Sequence, residues 1–383
     1  MGSTAETIRT LLREADIRTD GERPHDLQVH DDRFYPRVMA QGILGLGESY
    51  MDGWWDCDEL DVFTDKAFRA RLQRHVRPTP GLVWHYLKAR IFNRQSRRRS
   101  EQVGREHYDR GNDLFEAMLD PYMQYSCAYW EDGDDLTDAQ VRKMQLICEK
   151  LRLREGSRLL DIGCGWGGLA RYAAERYGVE GAGLTISREQ ASYARGFLEG
   201  VPMTVRRQDY RELEGEFDRV VSVGMFEHVG SKNYRTFFRT VRRCMADDGL
   251  FLLHTIGTNS SVTATNPWTN KYIFPNGQLP SPSRITQAME EDFVLEDWHS
   301  MGHHYDGTLL AWWENFSRAW PRLRESYSQR FYRMWRFFLL TSAGAFRSRQ
   351  IQLWQLVLSP RGVRAGYSAP RSPREPMDIG HTA

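Results

Sequence analysis

"RLLDIGCGWGGLARYAAERYG", residues 158 to 178, joins an apolar run to a glycine-rich turn and then to a helical pattern. Leu159 to Ile162 predict a strand. Leu169, Tyr172, Ala173 and Tyr177 share one helical face, and Gly178 is placed to cap its end. Gly163, Gly165 and Gly168 fit the G-x-G-x-x-G spacing of a dinucleotide turn. Such a site also needs an acidic residue roughly 20 positions on, to hold a ribose hydroxyl. The next strand, "VEGAGLTIS", ends in Leu184, Thr185, Ile186 and Ser187 with no carboxylate. A hydride-transferring dehydrogenase is therefore the second reading.

Strand and helix patterns continue to alternate beyond this unit. The second strand precedes "SREQASYARGFLEG", where Ser187 and Gln190 have capping-box spacing, so Gln190 has both a structural and a ligand role open to it. "MTVRRQDY" leads to Gln208 and Asp209, "FDRVVSVGMFEHV" to Glu227, and "LFLLHTIG" to His254. This order predicts an α/β fold with a mostly parallel sheet covered by helices on both faces. Ligands in such sheets bind outside the carboxyl ends of the strands, so Asp161, Thr185, Asp209, Glu227 and His254 are expected to converge on one crevice. Taken singly, an Asp before a helix is a cap and a His is a satisfied core residue. Their repetition at equivalent strand ends favours a shared site.

The 383 residues allow two domains and a large core. Charges nearly cancel at +1, so no whole-protein field argues for nucleic acid. The five cysteines are odd in number and lack C-x-x-C spacing, which suggests neither a disulfide framework nor a structural zinc site and fits a reducing cytoplasm. No apolar run approaches bilayer-spanning length, and "MGSTAETIRT" lacks the apolar stretch of a signal peptide. Membrane contact is expected to be peripheral.

Residues 1 to about 75 read as a small N-terminal α+β unit: a helical start, an alternating "DLQVHD" strand and a turn-rich segment, "GILGLGESYMDGWWDCDELD". Residues 76 to 105, with "RPTPG" and "KARIFNRQSRRR", read as a solvated linker. Residues 106 to 360 form the main α/β domain, and 361 to 383, rich in Pro, Gly and Arg, a loose tail.

Longer motifs narrow the choice. "LLDIGCGWGG", "GLTIS", "RRQDYREL", "DRVVSVGMFEHVG", "HYDRGNDLFEAMLDPYMQYSCAYW", "NKYIFPNGQLPS", "EDWHSMGHHYDGTLLAWWENF" and "AGAFRSRQIQLWQLV" resemble class I methyltransferases that use S-adenosylmethionine. Within them, the chain is similar to the cyclopropane-fatty-acyl-phospholipid synthases. The N-terminal segment also looks like that family and unlike its shorter mycolic-acid relatives. The resemblance runs from about residue 15 to residue 360.

The resemblance implies a role for each strand end. Gly163, Gly165 and Gly167 would line the cofactor's amino-acid end, Thr185 and Gln190 the ribose, Gln208 and Asp209 the adenine, with Asp161 nearby and Tyr125 and Ser126 closing over the site. The acceptor would be a cis alkene in a phospholipid acyl chain, which has no proton to remove beforehand, so the site must work by positioning. Aromatic residues of "YDGTLLAWWENFSRAW" and "RFYRMWRFFLL" could shield a carbocation, or simply pack a core. The resemblance also implies a bicarbonate base held through Cys127, Glu227, His254, Ile256 and Tyr305. Cys127 equally suits a small buried residue. Where some relatives carry a cysteine before "AGAF", this chain has Ser342, so a thiol base there does not transfer. The expectation of a homodimer rests on the resemblance alone. A methyl-branching relative, a small-molecule methyltransferase and a lipid-binding protein with a vestigial site remain as other readings.

Overall fold

The computed structural model describes residues 4–72, 111–261 and 266–373. The linker expected at 76 to 105, with its arginine run, lies outside the described residues.

The N-terminal segment contains α1 (Thr4–Glu14), β1 (Gln28–Val29), α2 (Phe34–Gln41), α3 (Ile43–Met51), β2 (Trp55–Asp56) and α4 (Leu60–Arg69). Its alternating stretch supplies only the two-residue β1, which pairs antiparallel with β2. The segment expected to be turn-rich is instead helix α3, and tertiary packing outweighs the glycine cost. A Cβ at Gly47 would stand 2.4 Å from the Trp268 ring, so glycine is what lets that indole lie against the helix.

The larger region follows with α5 (Asn112–Met118), α6 (Leu136–Lys150), β3 (Arg158–Ile162), α7 (Gly168–Tyr177), β4 (Glu180–Thr185), α8 (Arg188–Phe197), β5 (Met203–Arg207) and β6 (Phe217–Val223). After these come α9 (Tyr234–Arg243), β7 (Met245–Thr258), α10 (Pro267–Tyr272), α11 (Pro282–Met289), β8 (Val294–Ser300), α12 (His303–Leu323), α13 (Gln329–Arg347) and β9 (Ile351–Ser359). Strands β3 to β9 form one sheet in the order β5-β4-β3-β6-β7-β9-β8. All neighbours are parallel except β9, which runs antiparallel to both β7 and β8. The α/β fold expected from the alternating pattern is present.

Alternation along the strands explains the two covered faces. Leu159, Val221 and Leu252 meet α6 and α7 through Met144, Ile147 and Ala173. Their neighbours Leu160, Val220 and Phe251 meet α9 and α11 through Phe237, Val241 and Ile285. Because β3 pairs with β4 on one side and β6 on the other, the strand order reverses there, and a crevice opens at the strand ends.

The fifth parallel strand is longer than its apolar run. It continues past His254 to Thr258 because β9 pairs with it out to Thr258↔Ile351. Residues 361–373, the described part of the tail expected to be loose on composition, are pinned to α6 and to the edge strand β8: Tyr367 Oη donates to Lys150 O at 2.6 Å, and Arg371 pairs with buried Asp297.

The N-terminal elements share one apolar cluster with α12 and α13: Tyr50, Trp55 and Phe63 pack with Trp335 and Phe337. Arg333 donates to Trp55 O and Asp56, and Arg347 pairs with Asp61. At Gly344 of α13 a Cβ would lie 2.2 Å from Asp61 O. Gly344→Val should therefore force α4 away from α13, at a cost of roughly 1–3 kcal/mol. Thermal denaturation should show a lowered Tm, and an unchanged Tm would mean that this contact is not close-packed.

Candidate active site

The crevice is a cavity walled by the β3 turn, the ends of β4, β5 and β6, the segment 123–126 and Pro275 and Asn276. Each wall has a local cause. β3 is buried from Leu159 onward and ends at Asp161 and Ile162, where the glycine turn sends the chain into α7. Gly165 has φ +56, and a Cβ there would meet only Gln190 Nε2, at 4.0 Å. The space above this turn is thus open to a ligand, while the backbone conformation disfavours a side chain.

Tyr125, Ser126, Asp161, Gly163, Gly165, Thr185, Gln190, Gln208 and Asp209 all line this cavity, as their sequence positions suggest. Gly167 does not. It lies behind the turn, where a Cβ would meet Ala194 and Leu198 of α8 at 3.3 Å, so its glycine, at φ +90, serves helix packing. Ser187 caps α8, its Oγ accepting from the Gln190 backbone N–H at 3.2 Å, while the Gln190 side chain closes no capping box and stands on the cavity wall, accepting from Thr185 Oγ1 at 2.9 Å. Asp209 is held by Arg211 at 2.6 Å, and Gln208 donates to Glu212 O at 2.7 Å.

Asp161 is buried, and its Oδ1 has no hydrogen-bond partner among the described residues. Burial pushes its carboxyl up to about 7, against the opposing pull of Lys143.

Glu227 and His254 do not reach the cavity wall. They stand one layer deeper, behind Gly224 and Met225, which do line it. The layers are joined by backbone: Gly224 N–H donates to His254 O at 2.9 Å, in register with the Val223↔His254 pair. Glu227 Oε1 accepts from Ile256 N–H at 2.5 Å, so Ile256 acts here through its main chain. Glu227 Oε2 and His254 Nε2 are buried and lack partners among the described residues. Burial raises the Glu227 carboxyl to about 7 and pushes His254 well below the ordinary imidazole range, helped by Lys143 and Lys150. His254 Nδ1 faces Gln355 Nε2 at 3.2 Å. With that amide donating, the ring hydrogen sits on Nε2.

Cys127, Tyr305 and Ile256 share one apolar cluster, which Ile256 joins to Glu227 through its N–H. The Cys127 sulfur lies 4.0 Å from Thr308 Oγ1, one turn along α12 from Tyr305. Its thiol is pushed up by complete burial, which leaves no thiolate to act as a nucleophile. Tyr305 stacks on Phe346 with ring centroids 4.4 Å apart and meets Trp312 at 6.0 Å, and Trp312 meets cavity-lining Tyr125 at 5.1 Å. An aromatic series thus runs from the cavity inward. Ser342 lies on α13 and is absent from the cavity wall.

Three contributors escape sequence reasoning. His228 lines the cavity, and burial pushes its imidazole down to about 4. Asn276 forms the opposite wall with a left-handed backbone at φ 62. Lys143 is fully buried beneath Gln124 and Ser126, and its only signal is a lysine on the apolar face of a helix.

Residues 95–356 match the family model described as mycolic acid cyclopropane synthetase. The chain is 54% identical over 361 residues to the cyclopropane-fatty-acyl-phospholipid synthase of Escherichia coli K12, covering 94% of each. It is similar to the solved cyclopropane synthase MmaA2 of Mycobacterium tuberculosis, with 32% identity, TM-score 0.64, and coverage of 68% of this chain and 98% of that one. A mycolic acid cyclopropane synthase solved with SAH and CTAB gives 31% identity and TM-score 0.64 over 68% of this chain and 98% of its own. A fold built to leave space above a glycine turn, a layered polar pair behind it and these likenesses lead to one conclusion: the chain belongs to the mycolic acid cyclopropane synthetase family of S-adenosylmethionine-dependent methyltransferases.

Proposed function

We propose that this enzyme adds a methylene group from S-adenosylmethionine across cis double bonds of unsaturated phospholipid acyl chains, closing cyclopropane rings, with bicarbonate as the proton acceptor. The observation that carries the reading is the pair of orphaned buried atoms, Glu227 Oε2 and His254 Nε2, set directly behind a cavity with room above Gly165. The high identity to a cyclopropane-fatty-acyl-phospholipid synthase supports it.

The residues present fit both groups. Gly163, Gly165 and Ser126 would hold the amino-acid end of S-adenosylmethionine, Thr185 and Gln190 the ribose, and Gln208 and Asp209 the adenine. When bound, the cofactor supplies a sulfonium-activated methyl carbon. An alkene offers no proton to remove first, so the protein contributes by alignment. Tyr125 on the cavity wall, backed by Trp312 and Tyr305, would stabilise positive charge growing on the acyl chain and exclude the water that would trap it. Glu227, with its carboxyl near 7, retains a proton on a share of molecules at neutral pH and can donate to an anion; neutral His254, two residues before the Ile256 that bonds Glu227, offers an Nε2–H. These donors, with Cys127, Ile256 and Tyr305 around them, would hold bicarbonate, which supplies a base for the proton lost on ring closure. The same reading has residues 1 to 75 engaging lipid and the enzyme working as a cytoplasmic homodimer on the inner membrane face. No described helix is long and apolar enough to cross a bilayer.

Incubation with unsaturated phospholipid vesicles and S-adenosylmethionine, followed by mass analysis of the acyl chains, tests the reaction. Gain of CH2 with loss of the alkene is expected. Retained unsaturation would instead identify a methylene branch, and no lipid product would overturn the proposal.

Glu227→Gln should keep S-adenosylhomocysteine affinity while ring formation falls roughly 100- to 10,000-fold, the usual share of general-base assistance. Ser342→Ala should stay within a few fold of the parent. Undiminished ring formation in E227Q would remove Glu227 from the reaction.

The same substitution has a stability signature. A carboxyl raised from 4.5 to about 7 contributes its stability fully below pH 4.5, and loses it as pH rises through 7. The loss at pH 8 amounts to roughly 3 kcal/mol, because each tenfold change in proton affinity is worth about 1.4 kcal/mol. E227Q should therefore melt several degrees above the parent at pH 8, with the gap closing towards pH 4.5. An equal gap at both pH values would show that Glu227 titrates normally.

A further inference from the structure

Lys143 has no place in the reaction described so far, yet its setting is costly. It lies on the inward face of α6 with Ala139, Met144 and Ile147, and is fully buried. Among the described residues no carboxylate comes within ion-pair distance of it. Its Nζ donates to Ser126 Oγ at 3.0 Å and to Gln124 Oε1, and both acceptors belong to residues that line the cavity. One turn earlier on the same helix, Gln140 donates to the carbonyl oxygens of Gln124, at 3.3 Å, and Ser126, at 2.9 Å. Helix α6 therefore grips this stretch twice, by its main chain through Gln140 and by its side chains through Lys143.

The surroundings leave the ammonium poorly compensated. Asp120, the nearest influence of opposite sign, already accepts from Tyr122 N–H at 2.8 Å and Gln124 N–H at 2.9 Å. Asp161 has its own carboxyl raised to about 7, Cys127 remains a thiol, and His254 remains neutral. Burial accordingly lowers the lysine to about 8. A buried charge is costly unless a partner offsets it, and here the two residues that accept from the ammonium, Gln124 and Ser126, are themselves on the cavity wall. S-adenosylmethionine has one anionic group, the carboxylate of its amino-acid end.

Resting on the reading that the cavity takes this cofactor, we propose that Lys143 is a positioning residue for that carboxylate. By occupying one lone pair of Ser126 Oγ, its ammonium orients the serine so that the hydroxyl hydrogen is free to donate into the cavity, and its charge makes the Gln124–Ser126 stretch attractive to an anion. The role is exerted through Ser126 and contributes to binding the amino-acid end, with no part in the chemistry at the methyl carbon.

Calorimetry on the full chain separates this from a general structural role. S-adenosylhomocysteine carries the amino-acid end, and 5′-methylthioadenosine lacks it. Lys143→Met should weaken S-adenosylhomocysteine roughly tenfold or more, about 1.4 kcal/mol, and change methylthioadenosine affinity by less than about threefold. Equal losses for both ligands, or none for either, would overturn the proposal. A parent protein that binds neither ligand would overturn the cofactor reading and this inference with it. If K143M does not melt cooperatively, Lys143→Gln keeps a donor without the charge and carries the same expectations.

Discussion

The backbone pairing of β9 between β7 and β8 is the interaction on which the site depends. It runs from Phe251↔Leu358 to Thr258↔Ile351 and carries β7 well beyond the level of Val223, where its other neighbour β6 stops. His254 and Ile256 belong to this ladder and not to a loop. β9 is also the last strand of the sheet in chain order, and the two long helices just before it carry Tyr305 and Trp312 into the cluster that seats α13 against the N-terminal segment. One pairing thus sets where His254 and Ile256 stand and where the chain returns from the helices that seat residues 4–72.

Desolvation outweighs Coulomb attraction throughout this interior. It is the leading cause of the upward shifts at Asp161, Glu227 and Cys127 and of the downward shifts at Lys143, His228 and His254. Every one of these moves a group towards its neutral form. Under the proposed reaction, a site that met positive charge on an acyl chain would benefit from this bias, because a neutral carboxyl neither collapses onto a cation nor draws water in beside it. The carboxyl, thiol and imidazole groups among them act as hydrogen-bond donors and acceptors more than as ions, whereas Lys143, lowered only to about 8, keeps most of its charge at neutral pH.

Much of the cavity is legible in the sequence because strand ends are written locally: an apolar run, then a polar residue, then a turn. Thr185, Gln208 and Asp209 all carry that signal, and Gln190 follows in the first turn of the next helix. What stays hidden depends on residues far apart in the chain. Helix α3 reads as turn because glycine is a poor helix former, and the reason for Gly47 is the ring of Trp268, distant in the chain. The reach of β7 depends on β9, and the depth of Glu227 on Ile256. Gly167 shares the turn's composition with Gly165, but only the packing of α7 on α8 tells them apart. Lys143 is the sharpest case, since a lysine in a helix ordinarily marks the solvent face.

The walls of the cavity and the layer behind it differ in kind. Segment 123–126 and residues Pro275 and Asn276 are irregular backbone, whereas His254, Ile256 and Gln355 belong to paired strands. Loops open at lower free energy than the interior of a sheet. Of the two irregular walls, segment 123–126 is held to α6 by Gln140 and Lys143, so exchange of an occupant would fall first to the wall at Pro275 and Asn276. The layer that holds His254 and Ile256 would stay assembled meanwhile, because its strands are paired on both sides.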